Sequence, residues 1–175
     1  SVDTLDYHFT DAISDKAAQF VDDASYRDKP FFLYLLYTAP HWPLHAWPED
    51  IEHYRGKYMK GWDSLRTQRH EEQKGIGLLN KKWPIAPRES AVPAWEETDH
   101  REWRDLQMAV YAAQIEQMDR GIGKVLQTLE ERGIADNTII IFTSDNGPTG
   151  AGTAGPYSKG KRHLFEGGIR VPSIV

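Results

Sequence analysis

The sequence predicts an α/β domain in which a mostly parallel or mixed sheet is flanked by helices, and three observations predict it. Two apolar runs of strand length, Phe31-Phe32-Leu33-Tyr34-Leu35-Leu36-Tyr37 and Thr138-Ile139-Ile140-Ile141-Phe142-Thr143, lack polar alternation, as strands buried on both faces do. Between them, Met108, Tyr111, Ile115, Met118, Ile122, Val125 and Leu129 step by three and four, the spacing of one long amphipathic helix. Helix, strand, long helix, strand is the order of a layered sheet with helices on its faces.

The first helix is predicted over residues 10–24. Thr10 is placed to cap it, Asp11 sits in its first turn, and Ile13, Ala17, Phe20 and Ala24 recur at helical spacing until Lys29-Pro30 ends it. Residues 50–100 are polar, Trp-rich and broken by Pro84, Pro87 and Pro93. They read as an insertion with one short helix at about 62–74. Gly133 is placed to cap the long helix, Asp136-Asn137 turns the chain, and residues 169–175 read as a further strand interrupted by Pro172. No internal repeat is present.

At 175 residues the chain is the size of one domain and long enough to bury a core. Hydrophobic residues at 39% with 20 aromatics argue against disorder. No apolar run approaches the ~20 residues that a membrane helix needs. The first residues, Ser1-Val2-Asp3-Thr4, lack the features of a secretory signal, so a processed or truncated start is one expectation and no destination is read from them. Without cysteine there is neither a disulfide framework nor a thiolate metal site. Net charge is −5, but residues 151–175 carry +3 through Lys159, Lys161, Arg162 and Arg170 against Glu166. A nucleic-acid binder spreads its cations over a broad face. A basic tail on an acidic body suits a local anion pocket better.

Three clusters carry the chemistry. Pro40-His41-Trp42-Pro43-Leu44-His45 holds an imidazole between prolines that stiffen the backbone, which suits His41 to donate to an anionic oxygen; a plain structural loop is the alternative. Ser144-Asp145-Asn146-Gly147 is an ordinary turn sequence, yet directly after an apolar strand Asp145 and Asn146 offer two hard oxygen ligands for Ca²⁺ or Mg²⁺. Ca²⁺ takes roughly 6 to 8 oxygens, so the remainder must come from elsewhere. In the stretch from Gly160 to Pro172, the glycine spacing and the residue after Lys161 exclude a Walker A loop. The flanking glycines can instead carry Lys161 into a cleft as a point charge for an oxyanion. Ligands in such sheets lie beyond the carboxyl ends of strands. His41 follows one apolar run by four residues and Asp145 follows the other by two, so parallel neighbouring strands would open both clusters on one edge.

Taken in order, Ala39-Pro40-His41-Trp42-Pro43-Leu44, Val110-Tyr111-Ala112-Ala113 through Met118-Asp119, Asp136-Asn137-Thr138 into Ser144-Asp145-Asn146-Gly147, and Lys161 followed by Glu166-Gly167-Gly168-Ile169-Arg170-Val171-Pro172 resemble the type I sulfatases of the alkaline phosphatase superfamily, especially bacterial arylsulfatases. The resemblance spans nearly the whole chain. It implies an alkaline-phosphatase-like fold and a sulfuric ester hydrolase, with residues 1–175 forming the later part of its catalytic domain. By position it assigns sulfate contact and the candidate catalytic roles to His41 and Lys161, and part of a Ca²⁺ site to Asp145 and Asn146. The family's nucleophile is a formylglycine made in a C-x-P-S-R or S-x-P-S-R motif, and neither motif occurs in this sequence. The upstream paired aspartates of the calcium site are also missing, and Asp22-Asp23 falls within a predicted helix. The chain alone is therefore expected to be inactive.

The implied partner is an aryl or carbohydrate sulfate, with no nucleic acid and no membrane span, and the family suggests a periplasmic or secreted location. His45, Arg162 and His163 receive no role. Two other readings stay open. A phosphatase or phosphodiesterase of the same superfamily would need two transition-metal sites, which an Asp-Asn pair suits poorly because zinc prefers His, Cys or carboxylate. A non-catalytic module binding sulfated glycans through the basic tail is the other.

Overall fold

The computed structural model describes residues 7–27, 29–149 and 152–175. They divide into two compact units: one takes the chain up to Trp62 together with Trp95–Asn137, and the other takes Asp63–Ala94 with Thr138–Val175.

The first unit is built on two helices, α1 (Phe9–Ser25) and α4 (Arg101–Glu131). α1 begins earlier than the sequence suggests. The residue flanking its start is His8, in extended backbone, and the Ala12 N–H donates to the His8 carbonyl at 3.1 Å. Thr10, expected to cap, therefore lies inside the first turn and is buried, its carbonyl accepting from Ser14 Oγ at 2.7 Å. Ala17, Ala18 and Val21 of α1 meet Val125 and Leu129 of α4, and Leu33, Leu35, Leu126 and Ile134 pack around them. Burying a side chain the size of Val21 or Leu129 contributes about 1.5–3 kcal/mol. Phe20, expected in this core, is 52% exposed.

α4 has the predicted length and buries the expected Val125 and Leu129, but toward its N-terminus it buries a different set of residues. Asp105, Ala109, Ala113, Gln117, Gly121, Val125 and Leu129 form an unbroken i, i+4 row of buried residues, whereas Met108, Tyr111 and Ile115 are exposed. Small side chains let α1 come close. A Cβ at Gly121 would stand 2.0 Å from Ser14 Oγ, 2.9 Å from Ser14 Cβ and 3.1 Å from Tyr37 Oη. The helix ends as predicted. Gly133 takes φ +65°, its N–H donates to Glu130, and the Ile134 N–H reaches back to Leu129 at 3.0 Å.

α2 (Pro48–Glu52) is fixed to α4 by a bidentate ion pair in which Arg120 grips both oxygens of buried Asp50 at 2.7 and 2.6 Å. These hydrogen bonds hold the Asp50 carboxyl below its ordinary pKa. Buried Asp105 closes the following loop by accepting from the Gly56 and Tyr58 N–H groups at 2.7 and 2.8 Å. α3 (Trp62–Gly75) matches the helix expected at about 62–74.

The expected sheet differs. Among the described residues, 31–37 and 138–141 run without ladder hydrogen bonds, and the single sheet pairs β1 (Phe142–Thr143) antiparallel with β2 (Ser173–Ile174), Phe142 opposite Ile174. The physical reason is coverage. Leu33 and Leu35 pack on the helical core and Tyr37 Oη bonds Ser14 Oγ at 3.0 Å, while Phe32, Tyr34 and Leu36 on the alternate face are 90%, 74% and 60% exposed. In the second unit Ile139 is 83% exposed. Both runs lack neighbours on one side at least. The stretch 169–175 yields only β2, because Ile169 closes a one-turn helix, α5 (Glu166–Ile169).

The second unit is locked by glycines around β1. The Gly147 N–H donates to the Gly168 carbonyl at 2.9 Å, the Lys161 N–H to Pro148 at 2.9 Å and the Gly167 N–H to Ser158 at 3.0 Å. A Cβ would fall 1.8 Å from the Gly167 oxygen at Gly147, 2.1 Å from the Lys159 oxygen at Gly167 and 2.0 Å from the His163 oxygen at Gly168. Three backbone segments thus meet where no side chain fits.

Three stability outcomes follow from the surroundings of these glycines. Gly121→Ala should lower stability by about 1–3 kcal/mol through overpacking against Ser14, although alanine is the better helix former. Gly123→Ala, on the same helix with nothing within 4 Å of its Cβ, should raise stability by about 0.5–1 kcal/mol. Urea denaturation of the pair separates packing from propensity, and equal effects would contradict the close approach. Gly147→Ala should also destabilise, since the colliding atom is a backbone carbonyl, and the loss should appear as faster amide exchange at Lys161 and Gly167.

Candidate functional site

The loop after residues 31–37 turns on a hydrogen bond from the His41 N–H to the Thr38 carbonyl at 2.8 Å. Both flanking Xaa-Pro peptides, Ala39-Pro40 and Trp42-Pro43, are cis. His41 is exposed, and its Nδ1 lies 2.8 Å from the Trp42 carbonyl. Because a carbonyl only accepts, Nδ1 carries the proton. Nε2 is then the acceptor of the neutral ring and a second donor once the ring is protonated.

Asp145 and Asn146 follow β1. The turn is held by Ser144 Oγ donating to the Asn146 carbonyl at 3.0 Å, and Asn146 Nδ2 donates to the Gly147 carbonyl at 2.9 Å. With the amide nitrogen turned onto backbone, Oδ1 is the atom of Asn146 suited to a cation. Asp145 is exposed beside it. An anionic and a neutral oxygen donor match a hard divalent ion.

Lys161 sits on the glycine lock, its N–H on the Pro148 carbonyl two residues after Asn146. Its backbone is fixed from both sides. Lys159 and Arg162 adopt left-handed φ values of +66° and +75°, which non-glycine residues rarely take. His163 Nδ1 donates to the Lys161 carbonyl at 3.2 Å, a role for His163 that the sequence did not supply. Arg170, the remaining cation of the tail, pairs with Glu166 at 3.1 Å and lies 4.9 Å over the Tyr157 ring. The second unit therefore brings Asp145, Asn146 and Lys161 onto adjoining backbone, and His41 belongs to the first unit.

Sequence reasoning missed a polar cluster in the first unit. Asp50, His53 and Glu116 each offer a donor atom within 4.8 Å of the others, a spacing that could hold a cation. Arg120 already grips both Asp50 oxygens and lies 3.7 Å from Glu116, so this cluster carries its own counter-charge. Near it, buried His8 meets His45, and Asp11 accepts from both Trp47 and Gln117. Single polar residues spread across three elements leave no motif to find. A surface depression of about 490 Å³ lined by Met59, His100, Arg101, Glu102 and Trp103 contains none of the predicted site residues. No helix among the described residues is long and apolar enough to cross a membrane.

Comparison with known proteins bears on this arrangement. Residues 2–175 match the Sulfatase family model. The chain is 41% identical over 140 residues to an uncharacterized sulfatase of Schizosaccharomyces pombe, covering 77% of this chain and 25% of that protein. It is 34% identical over 126 residues to the arylsulfatase of Klebsiella aerogenes, covering 71% and 27%. The crystal structure of Ps i-CgsB in complex with k-i-k-neocarrahexaose superimposes with a TM-score of 0.60 at 32% identity, over 95% of this chain and 27% of that one. The chain thus spans about a quarter of the length of the relatives it matches. On the family match, the identities and the shared fold, the chain belongs to the sulfatase family and is a region of a type I sulfatase catalytic domain.

Proposed function

We propose that the protein carrying this chain hydrolyses sulfate esters, aryl or carbohydrate, with His41 and Lys161 on the sulfate and Asp145 and Asn146 holding part of a Ca²⁺ site. The observation that carries the reading is the glycine lock, which holds the Lys161 N–H on Pro148, two residues beyond Asn146. A cation for the substrate's anionic oxygens and two hard ligands for a metal thus share one rigid piece of backbone. The arylsulfatase of Klebsiella aerogenes and the neocarrahexaose complex of the structural relative support a sulfate ester of either class.

Each residue has a definite task. Lys161 places a point charge on the sulfate oxygens, where charge builds in the transition state. His41, its Nδ1 committed to the Trp42 carbonyl, presents Nε2 to the same anion. One of the two delivers a proton to the leaving oxygen. Asp145 and Asn146 would hold the calcium ion, which when bound draws charge from the sulfate oxygens as a Lewis acid. The nucleophile and the remaining calcium ligands belong to other residues of the protein.

On this reading residues 1–175 are part of one alkaline-phosphatase-like domain with an insertion at about 50–100. Residues 31–37 and 138–143 are strands of its mixed or parallel sheet. The exposure of Phe32 and Ile139 supports neighbouring strands outside this chain.

In the intact protein, Lys161→Ala should lower turnover of a chromogenic aryl sulfate ~10²-fold or more, the scale for losing one strong transition-state contact. Unchanged turnover would remove Lys161 from the site. The 175-residue chain alone should hydrolyse none of that substrate, for want of a nucleophile, and robust hydrolysis by it would contradict the proposed division of the site. Calorimetric titration of the chain with Ca²⁺ should show little heat, because two ligands do not complete a cage. Tight stoichiometric binding would mean that the cage is closed within these residues.

A further inference from the structure

The N-terminal turns of α1 present three polar residues at a spacing of three, His8, Asp11 and Ser14, and each grips the segment that carries His41. Ser14 Oγ holds Tyr37 Oη at 3.0 Å, before the loop. Asp11 Oδ2 accepts from Trp47 Nε1 at 2.8 Å, after it, and is itself braced by Gln117 Nε2 at 2.9 Å from α4. Between these, His8 Nε2 lies 2.8 Å from His45 Nδ1 and 3.3 Å from the His45 carbonyl, with the two rings 4.6 Å apart. Ala39 is buried at the loop's entrance. The loop therefore has little freedom except at its exposed tip, residues 41–43.

We propose that this three-point clamp positions the His41 imidazole, with the His8–His45 contact, four residues from His41, setting its aim. The inference rests on the reading that His41 meets the sulfate. His8 and His45 are positioning residues that act through the loop.

The contact is selective for one protonation pattern. His8 Nε2 can serve the His45 carbonyl only as a donor, so in the same bifurcated bond His45 Nδ1 is the acceptor and His45 is neutral. His8 Nδ1 is then the unprotonated nitrogen. It is buried with no hydrogen-bond partner among the described residues, so a proton there would be a stranded donor in a ring only 8% exposed. Burial pushes the His8 pKa below its ordinary value, opposed by the His45 carbonyl bond and by Asp11 and Asp50, while Arg120 of α4 sits on Asp50. The sign follows from that direction. A histidine with a lowered folded-state pKa keeps its contribution above the ordinary histidine value and loses it as pH falls through the folded-state value. The clamp is closed at neutral pH and opens in acid.

The test uses the intact protein and 4-nitrophenyl sulfate. His45→Ala should lower kcat about tenfold or more with KM within about threefold, since a misaimed group far from any lost contact costs rate. His45→Asn places an amide oxygen near the position of Nδ1 and should restore kcat to within about threefold of the parent. His8→Gln keeps a donor near Nε2 and should behave likewise. Because glutamine does not titrate, the acid limb of the kcat profile should move to lower pH in His8→Gln. If His45→Ala does not fold, the two conservative variants and the acid limb still decide. An acid limb unmoved in His8→Gln, or equal loss in His45→Ala and His45→Asn, overturns the proposal. His41→Ala is the control: full activity in it removes the sulfate reading itself, whereas an inactive His41→Ala beside a fully active His45→Ala removes only the clamp.

Discussion

The close approach of α1 to α4 at Ser14 and Gly121 is the contact on which the first unit depends. Gly121 leaves room for the Ser14 side chain, Ser14 Oγ is then free to turn between the Thr10 carbonyl and Tyr37 Oη, and Tyr37 brings the end of the apolar segment onto the helix pair. Any side chain on residue 121 would push the helices apart and break this junction. The i, i+4 row from Asp105 to Leu129 continues the same logic along α4: Ala109 and Ala113 keep the helix slim, Gln117 braces Asp11, and Val125 and Leu129 supply the apolar core. The interface is polar at the end near the loop and apolar at the other. That gradient assigns specificity of placement to one end and most of the hydrophobic stabilisation to the other.

This arrangement explains which parts of the fold could be read from the sequence. The existence and ends of α4 follow from periodicity and Gly133, because helix formation is local and a left-handed residue is a local requirement. Of its buried face, Val125 and Leu129 followed and the N-terminal part did not. Counting apolar residues selects Met108, Tyr111 and Ile115, whereas the structure buries a row that is small and polar at Asp105, Ala109, Ala113, Gln117 and Gly121. Close packing against Ser14 at Gly121, and hydrogen bonds from the Gly56 and Tyr58 N–H groups at Asp105, outweigh side-chain hydrophobicity there. The sheet was less legible for a different reason. An apolar run without alternation reports that something covers both faces, and it is silent on whether the cover lies within the same 175 residues. Leu33 and Leu35 find theirs on α1 and α4, and Phe32 and Tyr34 do not.

The candidate site divides along the same line. His41, Asp145, Asn146 and Lys161 stand in contiguous motifs, so order along the chain was enough to single them out. What holds them is not contiguous. The glycine density of residues 147–168 was visible, but the crossing of Gly147 with Gly167 and Gly168 is a three-dimensional fact. His8, Asp11 and Ser14 look like an ordinary helix start, and only the structure shows that each is answered by a residue of the 37–47 segment. His45 carries no apparent role in the motif and acquires one through His8.

The segments that carry His41 and Lys161 are fixed by opposite means, and the chemistry of the side chains explains the choice. Lysine is long and loses much rotamer freedom when it is held, so an error at its Cα adds to an already broad distribution of its ammonium group. Locking the backbone around Lys161 through glycine contacts and left-handed neighbours removes the error at its source, before the side chain begins. Histidine is short and rigid beyond two torsions, and its task depends on which nitrogen carries the proton. For His41 the backbone path alone is not sufficient. The ring must also be given a tautomer, and the Trp42 carbonyl supplies one while α1 holds the segment on either side of it. Placement by backbone suits a point charge, and placement by a hydrogen-bonded loop suits a group that must both aim and hold a proton.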